Sequence, residues 1–478
     1  MAEASWSLHP DRALPVDPGL RAIARELYLA IADLPLVSMH GHIEVETIRD
    51  NTPFGDPAEL FVIPDHYLTR MLVSQGYRLE ELGVPPLNPG SGIAAEPDHR
   101  LIWRRVCENW KLFRGTPTRY WLEHELSLVF GVTQEPSAET ADEIYDHLLD
   151  MLGRPEFRIR ELFDRFRIEI LSTTDAPDSD LAAHAQLAEE GWGQRVVPTF
   201  RPDALFYPDN ASWAAGIQSL SKRSGIDITG YAGFLDALRQ RRFAFAAAGA
   251  RASDHGHLSA DTTPLDGADA QRIFDAALRE PIDPTAAAAF AANMLFETAR
   301  MSLDDGLVMQ LHPGVRRNHS DPVLAQFGEN QGFDIPVSVE FTRSLAPLLQ
   351  AFGHDRRFRM VLFTVDETVY SRELAPLAGA YPSVRLGAPW WFLDSPGGMA
   401  RFRELTTETA GFYNTSGFVD DTRAFASIPA RHDLARRIDA GFLAKLVAEH
   451  RLGLDEAVET AIDLSYTIPL KAYERRGA

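Results

Sequence analysis

Leu34-Pro35-Leu36-Val37-Ser38-Met39-His40-Gly41-His42 opens as a short apolar run and ends in two histidines one residue apart. The run reads as a buried strand. Side chains alternate between the faces of a strand, so residues i and i+2 point the same way. His40 and His42 then stand roughly 7 Å apart at the backbone. Their imidazoles can converge on one ion at metal–nitrogen bonds of about 2.0–2.1 Å. Imidazole suits zinc and its first-row neighbours. Taken alone, the pair is better read as two ordinary loop histidines, so the rest of the chain carries the decision.

Downstream, short apolar or β-branched runs alternate with amphipathic helices. The runs are Glu169–Thr174, Val196–Phe200, Phe243–Ala248, Leu307–Leu311, Met360–Val365, Val384–Ala388 and Gly417–Val419. Helical patterns fall between them at Asp180–Glu190, Asp227–Arg239, Val337–Ala351 and Leu434–Val447, and a further one, Asp17–Asp33, precedes the first run. With the run before His40 this makes eight β–α units. Such alternation predicts a parallel sheet, and eight units predict a closed (β/α)8 TIM-like barrel. Residues 43–165 break the rhythm. They carry helical blocks at Tyr67–Gln75, His99–Arg114, Arg119–Phe130 and Ala138–Leu152, with Pro- and Gly-rich turns near Pro85–Gly92. The expected organisation is an N-terminal helix and first strand (1–42), a helical insertion capping the barrel mouth (43–165), and the remaining barrel with its C-terminal helices (166–478).

The composition narrows the function. The chain has 478 residues, 45% of them hydrophobic and 24% charged, which marks a globular protein. With 47 basic and 68 acidic residues its formal charge is −21. That leaves no footprint for nucleic acid or an anionic membrane. An anionic substrate would need arginines placed locally in its pocket. Cys107 is the sole cysteine, which excludes an internal disulfide or a thiolate-rich metal site and fits a reducing compartment. Met1–Trp6 shows no basic region followed by an apolar core, so no signal peptide is expected. No run reaches the roughly 18 apolar residues of a membrane span. A soluble, cytoplasmic protein is expected, with a homo-oligomer left open.

Catalytic residues of such barrels sit at the carboxyl ends of the strands. Those ends supply His40 and His42, Asp175, Arg201 and Asp203, Asp254 and His255, His312, Asp366, Trp390 and Trp391, and Asp421 and Arg423. Alternation puts Asp420 and Asp421 on opposite faces, and Asp421 shares its face with Arg423.

A first-strand His-x-His with an eighth-strand aspartate resembles the metal site of the amidohydrolase superfamily. An ordered set of segments is similar to one branch of it, the uronate (glucuronate) isomerases. The set is His40–Ile48, Asp65-His66-Tyr67, Trp121–Leu126, Ser172–Asp175, Arg201-Pro202-Asp203, Ala252–Gly256, Met309–His312, Trp390-Trp391-Phe392 and Val419–Phe425. The chain departs from the family at Ser38, where an acidic residue is usual, and at Leu68-Thr69 in place of Lys-Trp.

The resemblance implies a metal-dependent aldose–ketose isomerase. It would interconvert D-glucuronate with D-fructuronate, and D-galacturonate with D-tagaturonate, by proton transfer from C2 to C1 through a cis-enediol. It implies one divalent ion, zinc by preference, on His40, His42 and Asp421. One ion rather than two follows from Asp366 standing where binuclear hydrolases have a histidine, and from the lack of a fourth-strand lysine. His312 is either a ligand or a substrate contact. His66 and Tyr67 would fold back over the barrel mouth, with Tyr67 relaying protons between O2 and O1. A substrate hydroxyl anchored by the metal would act with Asp421 to take the C2 proton, and Arg423 would polarise the carbonyl. Arg201 and Arg423 are candidates for holding a carboxylate, Trp390 and Trp391 line the sugar, and Asp254 and His255 either contact the substrate or tie the fourth-strand loop in place. His124 reads as structural. The alternative is a metal-dependent hydrolase on the same barrel, acting on a small carboxylated or sugar-derived substrate.

Overall fold

A computed structural model describes residues 6–475. Residues 1–5, which include most of the stretch expected to lack a targeting signal, and 476–478 lie outside the described residues. Seven parallel strands form most of a barrel wall: β1 Leu36–Ser38, β2 Ile168–Ser172, β3 Val196–Val197, β4 Ala252–His255, β5 Val308–Leu311, β6 Met360–Leu362 and β7 Val384–Leu386. A Phe200–Ser253 bridge joins β3 to β4, and a Leu386–Thr415 bridge joins β7 to the eighth stave. That stave, expected at Gly417–Val419, is extended chain rather than a regular strand. Its far side meets the segment after β1, where the His42 N–H donates to Thr422 O (2.9 Å) and the Asp421 N–H to His40 O (3.2 Å). The expected (β/α)8 barrel is therefore closed.

The interior is filled by alternate residues of the staves, among them Val37, Ile170, Val197, Ala252, Val308, Val361 and Val419. Along β5 the inward column runs Val308, Gln310 and then His312, apolar at the base and polar at the mouth. Tyr473 seals the base, its hydroxyl donating to Gln310 Oε1 at 3.1 Å. Tyr473→Phe should destabilise the protein by about 1–3 kcal/mol in urea melts, because a buried acceptor loses its donor.

Residues 231–247, which include all but the last residue of the run expected as a strand at Phe243–Ala248, form a helix instead. The Phe-Ala alternation there has period 2, but Phe234, Leu238 and Phe245 are buried at helical spacing. The fourth strand is Ala252–His255, too polar to be found by hydrophobicity because its inward side chains face the mouth. The helix expected at Val337–Ala351 is confined to Ala346–Phe352. Ahead of it Ile335–Pro336 pairs antiparallel with Val315–Arg316, and Glu373 takes the N–H groups of Phe341 and Thr342.

The helix Pro18–Ile31 starts where Asp17 accepts the Leu20 N–H. Its buried stripe Ala24, Leu27 and Ile31 packs on Ala440, Leu443 and Ala444 of the helix Ile428–Ala448. Residues 43–165 are helical and build their core from Trp103, Phe113, Phe130 and Phe163 against the outside of β1 and β2. No helix among the described residues is long and apolar enough to cross a membrane.

Candidate active site

The regular part of β1 ends at Ser38, and the chain then carries both histidines into a cavity at the mouth. His40 Nε2 lies 3.2 Å and His42 Nε2 3.0 Å from the same atom, Asp421 Oδ1. The two rings stand edge to face, at 81°. Asp421 Oδ1 is buried and has no hydrogen-bond partner. The other oxygen, Oδ2, accepts from the Trp390 indole N–H. Asp421 reaches this position with φ at 44°, a left-handed conformation that costs a non-glycine residue free energy. Asp420 points away and accepts from His432 Nε2 at 3.1 Å.

Three donor atoms thus converge without hydrogen-bonding one another, as the ligand set of a divalent cation requires. Electrostatics agree for Asp421 and His42, whereas His40 is raised, its burial outweighed by Asp254 and Asp421. Burial alone would raise the Asp421 carboxyl, yet the two imidazoles hold it well below the usual carboxylate range. Burial lowers His42, which favours the neutral imidazole a metal binds.

His312 stacks on His40 with ring centres 4.4 Å apart, and its Nδ1 lies 2.8 Å from Asp254 Oδ1. Burial drops its pKa to about 4. Asp254 also holds Arg201, with Nη1 to Oδ2 at 3.2 Å, and Asp203 Oδ2 accepts from Arg201 Nε at 3.3 Å. Two carboxylates therefore fix the plane of that guanidinium.

The opposite wall comes from the insertion. Asp65 caps the helix His66–Val73 by accepting the Tyr67 and Leu68 N–H groups, which fixes the turn that presents His66 and Tyr67 to the cavity. The two rings stack at 4.9 Å, and Trp391 packs against both. Burial, reinforced by Arg423, lowers His66 to about 3, while burial raises the Tyr67 phenol. Arg423 is exposed at the rim, its charge facing Asp421 and Glu44.

Of the expected residues, His40, His42, His66, Tyr67, Arg201, Asp254, His312, Trp390, Trp391, Asp421 and Arg423 all line this cavity. His255 does not. Alternation along β4 turns it outward, onto Phe206 and toward Asp203. Asp366 caps a short turn by accepting the Thr368 N–H, and Asp175 accepts from Thr173 Oγ. His124 pairs with Arg12 far from the cavity.

Arg431 and Arg317 line the cavity but are not among the sequence-derived candidates. Arg431 lies flat on Trp121 at 3.6 Å and donates to Asp394 Oδ2 at 3.0 Å. Burial raises Asp394 to about 6 despite that arginine. Nothing in the helical pattern of 428–448 marks Arg431 as inward. Asp394 has one signal, its place just after Trp390-Trp391-Phe392. With Arg201 and Arg423, four arginines line the cavity of a strongly acidic protein, the local provision an anionic substrate requires.

Comparison with known proteins places this architecture. The family model for glucuronate isomerase matches residues 20–472. A uronate isomerase of Rhizobium meliloti (strain 1021) is 53% identical over 466 residues, covering 98% of this chain and 99% of that protein. Among solved structures, a glucuronate isomerase from Caulobacter crescentus superposes with a TM-score of 0.95 at 49% identity, covering 98% of this chain and 97% of that one. A uronate isomerase from Thermotoga maritima superposes with a TM-score of 0.91 at 28% identity, covering 98% and 100%. Matched across nearly its whole length in both sequence and fold, the chain belongs to the glucuronate isomerase family.

Proposed function

We propose that the chain interconverts D-glucuronate with D-fructuronate, and D-galacturonate with D-tagaturonate, in the cavity lined by His40, His42, Asp421 and the four arginines. The convergence of two imidazoles and one carboxylate oxygen beneath those arginines is the observation that carries the reading. His40, His42 and Asp421 would hold one divalent ion, and the N, N, O donor set suits zinc. Such an ion supplies Lewis acidity toward substrate oxygens.

The chain's own groups do the rest. Arg201, held planar by Asp203 and Asp254, takes the sugar carboxylate as a bidentate pair. Asp421 removes the proton at C2 and delivers a proton to C1 as the enediol collapses. The Tyr67 hydroxyl, kept protonated at neutral pH by burial, hands a proton between O2 and O1 as the cis-enediol forms and collapses. Arg423 donates to the oxygen on which negative charge builds. Trp390 and Trp391 form the apolar wall of the sugar site, and His312, whose Nδ1 faces the Asp254 carboxylate, accepts from a substrate hydroxyl at Nε2. A hydrolase on the same barrel is not favoured by the family match.

The test is a coupled assay on both uronates, with the product then followed by NMR in D2O. The ketose should appear and carry solvent deuterium at C1. Absence of turnover on either uronate overturns the substrate reading. Direct evidence for hydride transfer from C2 to C1 overturns the enediol; complete retention of label alone does not, because a shielded base returns the same proton.

A further inference from the structure

Outside the cavity, at the carboxyl ends of β3 and β4, a second set of donor atoms converges. Asp203 opens the short turn Asp203–Leu205, His255 ends β4, and His257 follows two residues on. Asp203 Oδ1 lies 3.5 Å from His257 Nε2 and 3.7 Å from His255 Nδ1. All three atoms are within 4.8 Å of one another. These separations are too long for hydrogen bonds, which run about 2.7–3.2 Å. They are close to the edge of a tetrahedral zinc site, where bonds of about 2.0–2.1 Å set ligand atoms roughly 3.3–3.5 Å apart.

Each of the three atoms is buried and without a hydrogen-bond partner. Buried polar atoms rarely go unpaired, and three that face one another are better explained by a shared occupant than by chance. The surrounding contacts prepare them for one. Asp203 Oδ2 is taken by the Gly256 N–H at 2.7 Å and by Arg201 Nε, which leaves Oδ1 for the cluster. His255 Nε2 sits 3.1 Å from Ser253 Oγ, which leaves Nδ1 as the free nitrogen. Outer contacts of this kind orient metal ligands and choose their tautomer. The rings of Phe206 and Tyr207 wall the histidines.

We propose that Asp203, His255 and His257 form a second cation site, of zinc type, that clamps the end of β4 to the loop after β3. None of the three lines the active-site cavity, so this is not the second half of a binuclear centre. The ion would act on the cavity at one remove, because the carboxylate that binds it also braces Arg201. Three protein donors leave the fourth tetrahedral position to a small ligand such as water.

Zinc alone is the probe. Protein saturated with zinc and then gel-filtered should lose one zinc per chain on His257→Ala, by elemental analysis. The double variant His40→Ala/His42→Ala should lose one and keep one. Equal zinc in His257→Ala and wild type, or a double variant without zinc, overturns the second site. A double variant with undiminished zinc would count against the first centre and leave the second standing. His257→Gln, similar in bulk but a poor zinc ligand, gives the same comparison if the alanine variant fails to fold.

Discussion

Asp421→Asn should fold normally, lose zinc occupancy and fall in turnover by about 10²–10⁴-fold, the range spanned by a positioned general base. The substitution keeps shape and removes charge. In the native site Oδ2 accepts from Trp390 while Oδ1 faces His40 and His42. An amide cannot serve both: its NH2 group confronts either the indole N–H or the nitrogens that would hold the ion. The proposed base and the proposed ligand are therefore lost in one step. Circular dichroism, elemental analysis and kcat on the two uronates check the three parts of the expectation. A folded variant with near-normal turnover would remove Asp421 from proton transfer.

Arg423→Lys should keep its fold and its metal yet lose at least about a hundredfold in kcat, since one preorganised donor to a developing oxyanion is typically worth roughly 3–4 kcal/mol. Lysine preserves the charge but offers a point donor on a flexible stem in place of a planar fork. The position is exposed at the rim, so the change leaves core packing untouched. In a hydrolase whose work fell to activated water, the same residue would be peripheral and the variant nearly silent. Near-normal turnover of a metal-loaded Arg423→Lys protein would sink the oxyanion role.

Most of the barrel was legible because its strands are apolar and its helices periodic. β4 was not, because its inward residues face a polar mouth. Hydrophobicity then shifted the expectation to Phe243–Ala248, whose aromatic residues belong to a helix. Among site residues, those at strand ends followed from the architecture. His255 was lost to alternation, since two adjacent strand residues cannot both face the substrate. Arg431 was hidden for a different reason. It lies on a long helix whose other arginines are buried too and bind backbone carbonyls or the Asp433 carboxylate, so helical periodicity does not single out the one that meets Trp121 and Asp394 at the cavity.

The seam where the eighth stave meets the first also has a bearing on how the chain matures. The backbone bonds from His42 to Thr422 and from Asp421 to His40 join segments near opposite ends of the sequence. Contacts so far apart in sequence carry a high ordering cost until the intervening chain is in place. With Asp421 in its proposed role, catalytic competence arises with closure, not before it. A nascent or half-assembled chain has its histidines but lacks the aspartate beside them. It is chemically silent toward sugar acids until its two ends have found each other.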